Sequence, residues 1–226
     1  MRKKPKCILI FGSPASGKTS FYDELKIDKN NYNYLNVDKY VEDENGDCYN
    51  NLAKASSKIF KDDLPDNILS GQDIILDTTG SSFKRMQGIN FDLLYYSYDI
   101  SCHMIYVDPV IALIRNKTRK RILPAFVILN EWCKVYSNIN HYKLLFHNKF
   151  SLHTPYTTPP TLDINERMVK EKLDNYIEEI GGLQNYTSTF RKTPLTAEEL
   201  VNRYKQWDSA TQSVNQCYNS IIKNLY

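Results

Sequence analysis

No hydrophobic run in this sequence is long enough to cross a bilayer. The basic start, "MRKKPKCILIF", carries an apolar stretch too short for a secretory signal, so a soluble, cytoplasmic protein is expected. The five cysteines, Cys7, Cys48, Cys102, Cys133 and Cys217, are odd in number, and no two of them form a C-x-x-C pair. Reduced core or surface thiols are therefore expected, rather than a zinc site or a disulfide framework. A strong charge of one sign is also lacking. With 29 Lys+Arg against 26 Asp+Glu, the net charge of +3 neither demands nor excludes nucleic acid. There are no internal repeats and no low-complexity tracts. What remains, in 226 residues, is room for one α/β domain with a true core, or one such domain with a helical appendage.

The chain alternates apolar strand-like runs with helical patterns. "CILIF" (Cys7–Phe11), "YLNVD" (Tyr34–Asp38), "DIILDTTG" (Asp73–Gly80), "SCHMIYVD" (Ser101–Asp108) and "KFSLH" (Lys149–His153) read as five strands. Helices are expected from Lys18, over Asn50–Leu64, over Phe91–Tyr98 and over Pro109–Arg121, where proline opens the helix. This order implies an α/β fold with a parallel five-stranded sheet and helices on both faces. Ligands of such sheets bind beyond the carboxyl ends of the strands, where Gly12, Asp38, Asp77 and Asp108 fall. The expected division is a domain over 1–154 with a basic lid near 109–124, followed by a helical extension over 155–226. In the extension, "YTTPPTLD" (Tyr156–Asp163) reads as a linker, and Ile164–Ile180 and Thr196–Tyr226 read as helices. Thr196 and Glu199 have capping-box spacing. Leu200, Tyr204, Trp207, Val214, Tyr218 and Ile221 recur at helical spacing and read as packing residues. These helices could also provide an oligomer contact.

The strongest signal is "GSPASGKT", Gly12–Thr19, which fits G-x-x-x-x-G-K-[ST] between a strand and a helix. Glycines let a backbone wrap phosphates closely, with several N–H groups turned inward. Lys18 would reach the β and γ phosphates, and the Thr19 hydroxyl would ligate Mg²⁺. The phosphate-binding set is thus Gly12, Ser13, Pro14, Ala15, Ser16, Gly17, Lys18, Thr19 and Ser20, with ATP and Mg²⁺ as cofactors. The fold this implies is of P-loop NTPase type.

"DTTG", Asp77–Gly80, matches the D-x-x-G element of GTPases, but the N-K-x-D that should follow is missing. "RNKTRK" places Arg119 where its aspartate would stand. A kinase instead needs a base for the acceptor hydroxyl, a held Mg²⁺ and cations for the transferred phosphoryl group. Asp38 can take the hydroxyl proton. Asp77, Thr78 and Thr79 can touch the acceptor, with Asp77 also a candidate metal ligand beside Thr19. Arg115 and Arg119 are four residues apart, hence on one helix face, and Arg121 follows. The bland alternatives are a helix cap for Asp38, a strand-end turn residue for Asp77 and a solvated basic helix face for the arginines.

"GSPASGKT", "NVD" (Asn36–Asp38), "IILDTTG" (Ile74–Gly80) and "YVDPVIALIRNKTRKRILP" (Tyr106–Pro124) together resemble the zeta-toxin and phage polynucleotide-kinase group of P-loop kinases. The resemblance runs from about Lys6 to His153, and "FVILNEWCKVYSNINHYKLLF" is similar to small zeta-like kinases of tailed phages. It implies ATP-dependent phosphorylation of a hydroxyl, with Asp38 as base, Lys18 and Thr19 on phosphates and Mg²⁺, Asp77 and Thr78 near the acceptor, and Arg115 and Arg119 as lid arginines. Three residues after Asp38, polynucleotide kinases carry an arginine that grips the acceptor phosphate; here that position is Val41. Three functions follow as expectations. One is a kinase acting on a nucleic acid, nucleotide or modified base, in a host cytoplasm if the source is viral. The others are a zeta-type nucleotide-sugar kinase and a nucleotide-binding interaction module with little turnover.

Overall fold

The structure is a computed structural model, and it describes residues 4–42, 48–119, 123–154, 175 and 197–225. Five strands form one sheet: β1 (Lys6–Phe11), β2 (Asn33–Asn36), β3 (Ile74–Thr78), β4 (Asp99–Ile105) and β5 (Phe150–His153). Their order is β2-β3-β1-β4-β5, and every neighbouring pair is parallel, as the alternation of elements implies. A parallel sheet is buried on both faces, and β1 shows why this sequence suits it. Ile8 and Ile10 share a buried cluster with Ile75 and Ile105, against which Phe21, Tyr22 and Leu25 pack. Cys7, Leu9 and Phe11 point the other way and are fully buried as well.

Backbone packing divides the chain into two units, each described by itself. The first comprises Met1–Gly12, Gly17–Ile105 and His141–His153; the second comprises Ser13–Ser16, Tyr106–Asn140 and Thr154–Tyr226. Besides the sheet, the first holds α1 (Lys18–Glu24), α2 (Val37–Glu42), α3 (Cys48–Lys58), a π-helical turn (Ile59–Asp63), α4 (Leu64–Ser70) and α5 (Phe83–Tyr95). The π turn has a local cause. Pro65 has no N–H to return to the carbonyl four residues back, and the widened turn absorbs the missing bond. Helix α5 starts eight residues earlier than the sequence pattern suggests. The Ser82 side chain caps it by accepting from Arg85 N, and Met86, Ile89, Asn90 and Leu93 form its buried stripe. It cannot run on to Tyr98, because Ser97 is left-handed (φ 61°) and buried Tyr98 donates to the Gln72 carbonyl.

The second unit holds α6 (Pro109–Asn116) and α7 (Ala125–Tyr136). The chain then forms α8 (Ile139–Phe146), which precedes β5, and α9 (Ala197–Leu225), again in the second unit. Helices α7 and α8 are not among the helices expected from the sequence pattern. Helix α7 buries Ile128, Leu129, Trp132, Val135 and Tyr136, and α9 packs on it with Trp207, Val214, Tyr218 and Ile221 buried, as their spacing suggests. Trp132 stacks on Tyr218 with ring centroids 5.9 Å apart, and its indole donates to the Val107 carbonyl at 2.7 Å.

The linker over 156–163, the body of the helix over 164–180, Thr196, Arg121 and the side chains of Cys48, Leu200 and Tyr204 lie outside the described residues. Two expectations near the site are corrected. The second strand ends at Asn36, so Asp38 is the second residue of α2 rather than a strand-end carboxylate. Helix α6 ends at Asn116, so Arg119 sits in the following turn and does not share a helix face with Arg115. The reason is Asn116 itself. Its buried side chain donates to the Leu123 carbonyl at 2.8 Å and accepts from Leu123 N at 3.1 Å, which ties the end of α6 to Leu123.

Candidate active site

The segment from Gly12 to Thr19 joins β1 to α1, as the motif requires. Gly17 takes φ 100°, a left-handed value open to glycine at little cost. Ala15 takes φ 61°, which for a residue with a Cβ costs roughly 1 kcal/mol. The first bond of α1 runs from Phe21 N to the Gly17 carbonyl, so the N–H groups of Lys18, Thr19 and Ser20 precede the helical ladder and suit an anion. Lys18 Nζ donates to the Gly12 carbonyl at 2.9 Å, holding its charge where the loop begins. Thr19 and Ser20 are exposed.

Also in the first unit, Asp77 pairs in register with Ile10 on one side and Asn36 on the other. Its carboxylate is 4% exposed, and Oδ2 accepts from Asn36 Nδ2 at 2.7 Å and from the Tyr34 hydroxyl at 3.0 Å. Burial pushes its pKa up and Asp38 adds to that push, while the Lys18 charge and the Tyr34 and Asn36 hydrogen bonds pull it down. Asn36 also donates to the Tyr34 hydroxyl at 2.9 Å, and its Oδ1 accepts from Asp38 N at 2.7 Å. One asparagine thus caps α2, presents the half-buried Asp38 on the first turn and anchors Asp77. The phenol of Tyr34 is pushed up by burial and by Asp77, so it stays a proton donor. Tyr22 stacks on Tyr34 with centroids 4.2 Å apart. Thr78 is half-buried at the end of β3, and the Thr79 hydroxyl lies 3.1 Å from that of Ser81. Gly80, the glycine of "DTTG", has a packing reason. At φ 68° its place for a Cβ lies 2.5 Å from Phe11 Cδ2, and its carbonyl accepts from the Tyr142 hydroxyl.

In the second unit, Ser13 and Ser16 are fully buried. Ser13 N donates to the Tyr136 hydroxyl at 3.2 Å, and Ser13 Oγ lies 3.2 Å from the same oxygen. Arg115 Nη1 donates to the Ser16 carbonyl at 3.3 Å, so this expected lid arginine is tied to the phosphate-loop backbone. Asp108 caps α6 by accepting from Val110 N at 2.9 Å, and its other oxygen accepts from the Tyr218 hydroxyl at 3.1 Å.

Of the expected site residues, the first unit contains Gly12, Gly17, Lys18, Thr19, Ser20, Asp38, Asp77, Thr78 and Thr79. The second contains Ser13, Pro14, Ala15, Ser16, Arg115 and Arg119. Tyr34, Asn36 and Tyr136 were not singled out from sequence. A visible signal for the first two was the polar run "NYLN" inside a strand.

No family model matches the chain, and no curated protein matches it in sequence. Among solved structures it is similar to a chain of the Pnkp1/Rnl/Hen1 RNA repair complex, with 17% identity and a TM-score of 0.50. That likeness covers 73% of this chain and 53% of the other, so the chain spans about half the length of that relative. It is also similar to a chain from work on the PezAT chromosomal toxin–antitoxin system of Streptococcus pneumoniae, with 11% identity, a TM-score of 0.42, and coverage of 95% and 87%. At these identities the likeness is one of fold. The first match agrees with what the phosphate loop and strand order imply: the chain has a P-loop NTPase-type α/β fold, in keeping with its resemblance to the polynucleotide-kinase and zeta-toxin group.

Proposed function

We propose that the protein is a phosphotransferase that moves the γ-phosphate of ATP to a hydroxyl of a nucleic acid, a nucleotide or a modified DNA base. The observation that carries this reading is the folded "GSPASGKT" segment: a strand, a loop with left-handed Ala15 and Gly17, and Lys18 at the start of α1 with its amine on the Gly12 carbonyl. A lysine at the head of a helix beside a glycine-bearing loop is the arrangement by which a phosphate-bearing ligand is gripped. Asp38, half-buried and held by Asn36 through its N–H, is the proposed base that accepts the acceptor's proton. Arg115 and Arg119 are proposed to offset charge on the transferred group. The RNA repair assembly to which a structural neighbour belongs favours a nucleic-acid acceptor. A kinase region over 1–154 with a helical extension over 155–226 is part of the same proposal.

The donor set suits Mg²⁺. Mg²⁺ takes oxygen ligands and commonly binds through few protein groups plus phosphates and water, and a threonine hydroxyl with one carboxylate is a donor set of that kind. Thr19 and Asp77 would hold it, and it would supply charge neutralisation at the phosphates.

The test is transfer of labelled γ-phosphate with Mg²⁺ to 5′-hydroxyl DNA and RNA, hydroxymethylated DNA, nucleosides and nucleotide sugars. Label should appear on a nucleic-acid or nucleotide acceptor, and Asp38→Asn should lower transfer ~10³-fold while ATP binding persists. Label on nucleotide sugars alone would establish the zeta-type reading. ATP binding without transfer to any acceptor would favour an interaction module.

A further inference from the structure

Two cysteines on different helices of the second unit meet side by side. Cys133 lies on α7 and Cys217 on α9, 84 positions apart in sequence, with their sulfurs 3.1 Å from one another. That is only about 1 Å longer than a bonded pair at about 2.05 Å. Both thiols are unbridged and only partly buried, whereas Cys7 and Cys102 are fully buried. We propose that Cys133 and Cys217 form a redox pair, which a peroxide converts to a disulfide that fixes the C-terminal helix α9 onto α7.

The chemistry is set by the microenvironment. The Cys133 thiol, with help from Ser137, holds the Cys217 thiol below its usual range, and Cys133 is pushed up in turn. Cys217 is therefore the sulfur that ionises first and attacks. Its thiolate displaces hydroxide from hydrogen peroxide and becomes a sulfenic acid. The Cys133 sulfur then attacks the Cys217 sulfur, the S–S bond forms and water leaves. In sum, two thiols and one peroxide give one disulfide and two waters, with both sulfurs oxidised and the peroxide oxygens reduced. A small oxidant suits a half-buried pair.

The consequence reaches the residues around α6. Tyr218, next to Cys217, stacks on Trp132, next to Cys133, and its hydroxyl donates to Asp108. Asp108 caps α6, the helix that carries Arg115. A bond between the sulfurs therefore pins the stacked rings and the cap together. It also closes a long loop in the unfolded chain, which adds stability.

The experiment treats the full chain with hydrogen peroxide at neutral pH, alkylates remaining thiols and digests it without reductant. The expected product is a peptide joined through Cys133 and Cys217 and lacking two hydrogens. It should be absent from Cys133→Ala and from Cys217→Ala, and reversed by a dithiol. The oxidised protein should melt about 5–10 °C higher. Amide hydrogen exchange over 106–118 should slow severalfold on oxidation in the parent chain and not in either variant. Recovery of both cysteines as alkylated thiols after peroxide treatment would overturn the pair. So would a link through Cys48 instead. A link that forms without changing exchange over 106–118 or along α9 would overturn the fixing of the helix.

Discussion

Asn36 Nδ2 lies 2.7 Å from Asp77 Oδ2, across neighbouring parallel strands, while the other end of the same amide holds the N–H of Asp38. The two carboxylates of the candidate site thus share one small polar scaffold. Asn36→Ala removes the cap of α2 and a donor to a buried carboxylate. The expected cost is about 1–3 kcal/mol of stability, measured by denaturant unfolding. A drop of about tenfold or more in phosphoryl transfer should accompany it, read in kcat rather than in KM for ATP.

Asp77 is the reverse case, a residue whose charge works against folding. Burial dominates its shift and raises the folded pKa above the ordinary 3.8. The folded state therefore binds a proton more readily than the unfolded state, and stability is lost as pH rises from 3.8 through the raised value. Asp77→Asn should melt higher than the parent at neutral pH, and the gain should vanish when both are measured below pH 3.8. Transfer should fall in the same variant. Equal melting at all pH values would show that Lys18 and the two hydrogen bonds fully offset the burial.

Gly80→Ala places a methyl group where φ is 68° and the nearest atom is Phe11 Cδ2 at 2.5 Å. Phe11 is fully buried against Tyr142, so it has little room to yield. The expected loss is about 2–4 kcal/mol, seen as a lower melting temperature. Gly88→Ala is the control: nothing lies within 4 Å of its Cβ position, and a helical glycine gains on replacement.

His103 and His153 face each other on β4 and β5, with ring nitrogens 3.1 Å apart and Phe21 packed against both rings. Burial, and then its neighbour's charge, lowers His103 from 6.5 to about 4. A depressed histidine pKa means the unfolded chain takes up the proton first. Stability is therefore complete above pH 6.5 and declines as pH falls toward about 4. His103→Gln should flatten that decline in pH-dependent melting. An unchanged profile would assign the acid sensitivity to other groups.

Much of this architecture was legible from residues alone, for identifiable reasons. Gly12, Gly17, Lys18 and Thr19 stand at a spacing that phosphate geometry dictates, and the strand runs are apolar because a parallel sheet is buried on both faces. What escaped was decided by contacts distant in sequence. Asp38 looked like a strand end because "YLNVD" continues the apolar alternation; the Asn36 side chain takes over the Asp38 N–H and starts a helix instead. Arg119 looked helical because the pattern after Pro109 shows no break, yet Asn116 closes onto Leu123, seven residues away. Tyr136 carried no signal as a partner of Ser13, 123 positions earlier.

The Asn116–Leu123 clamp is a local closure made by a side chain. Two hydrogen bonds from one buried amide join residues seven positions apart. A contact over so short a separation costs little closure entropy. It can therefore form early as the chain folds, before partners 123 positions apart, such as Ser13 and Tyr136, have met.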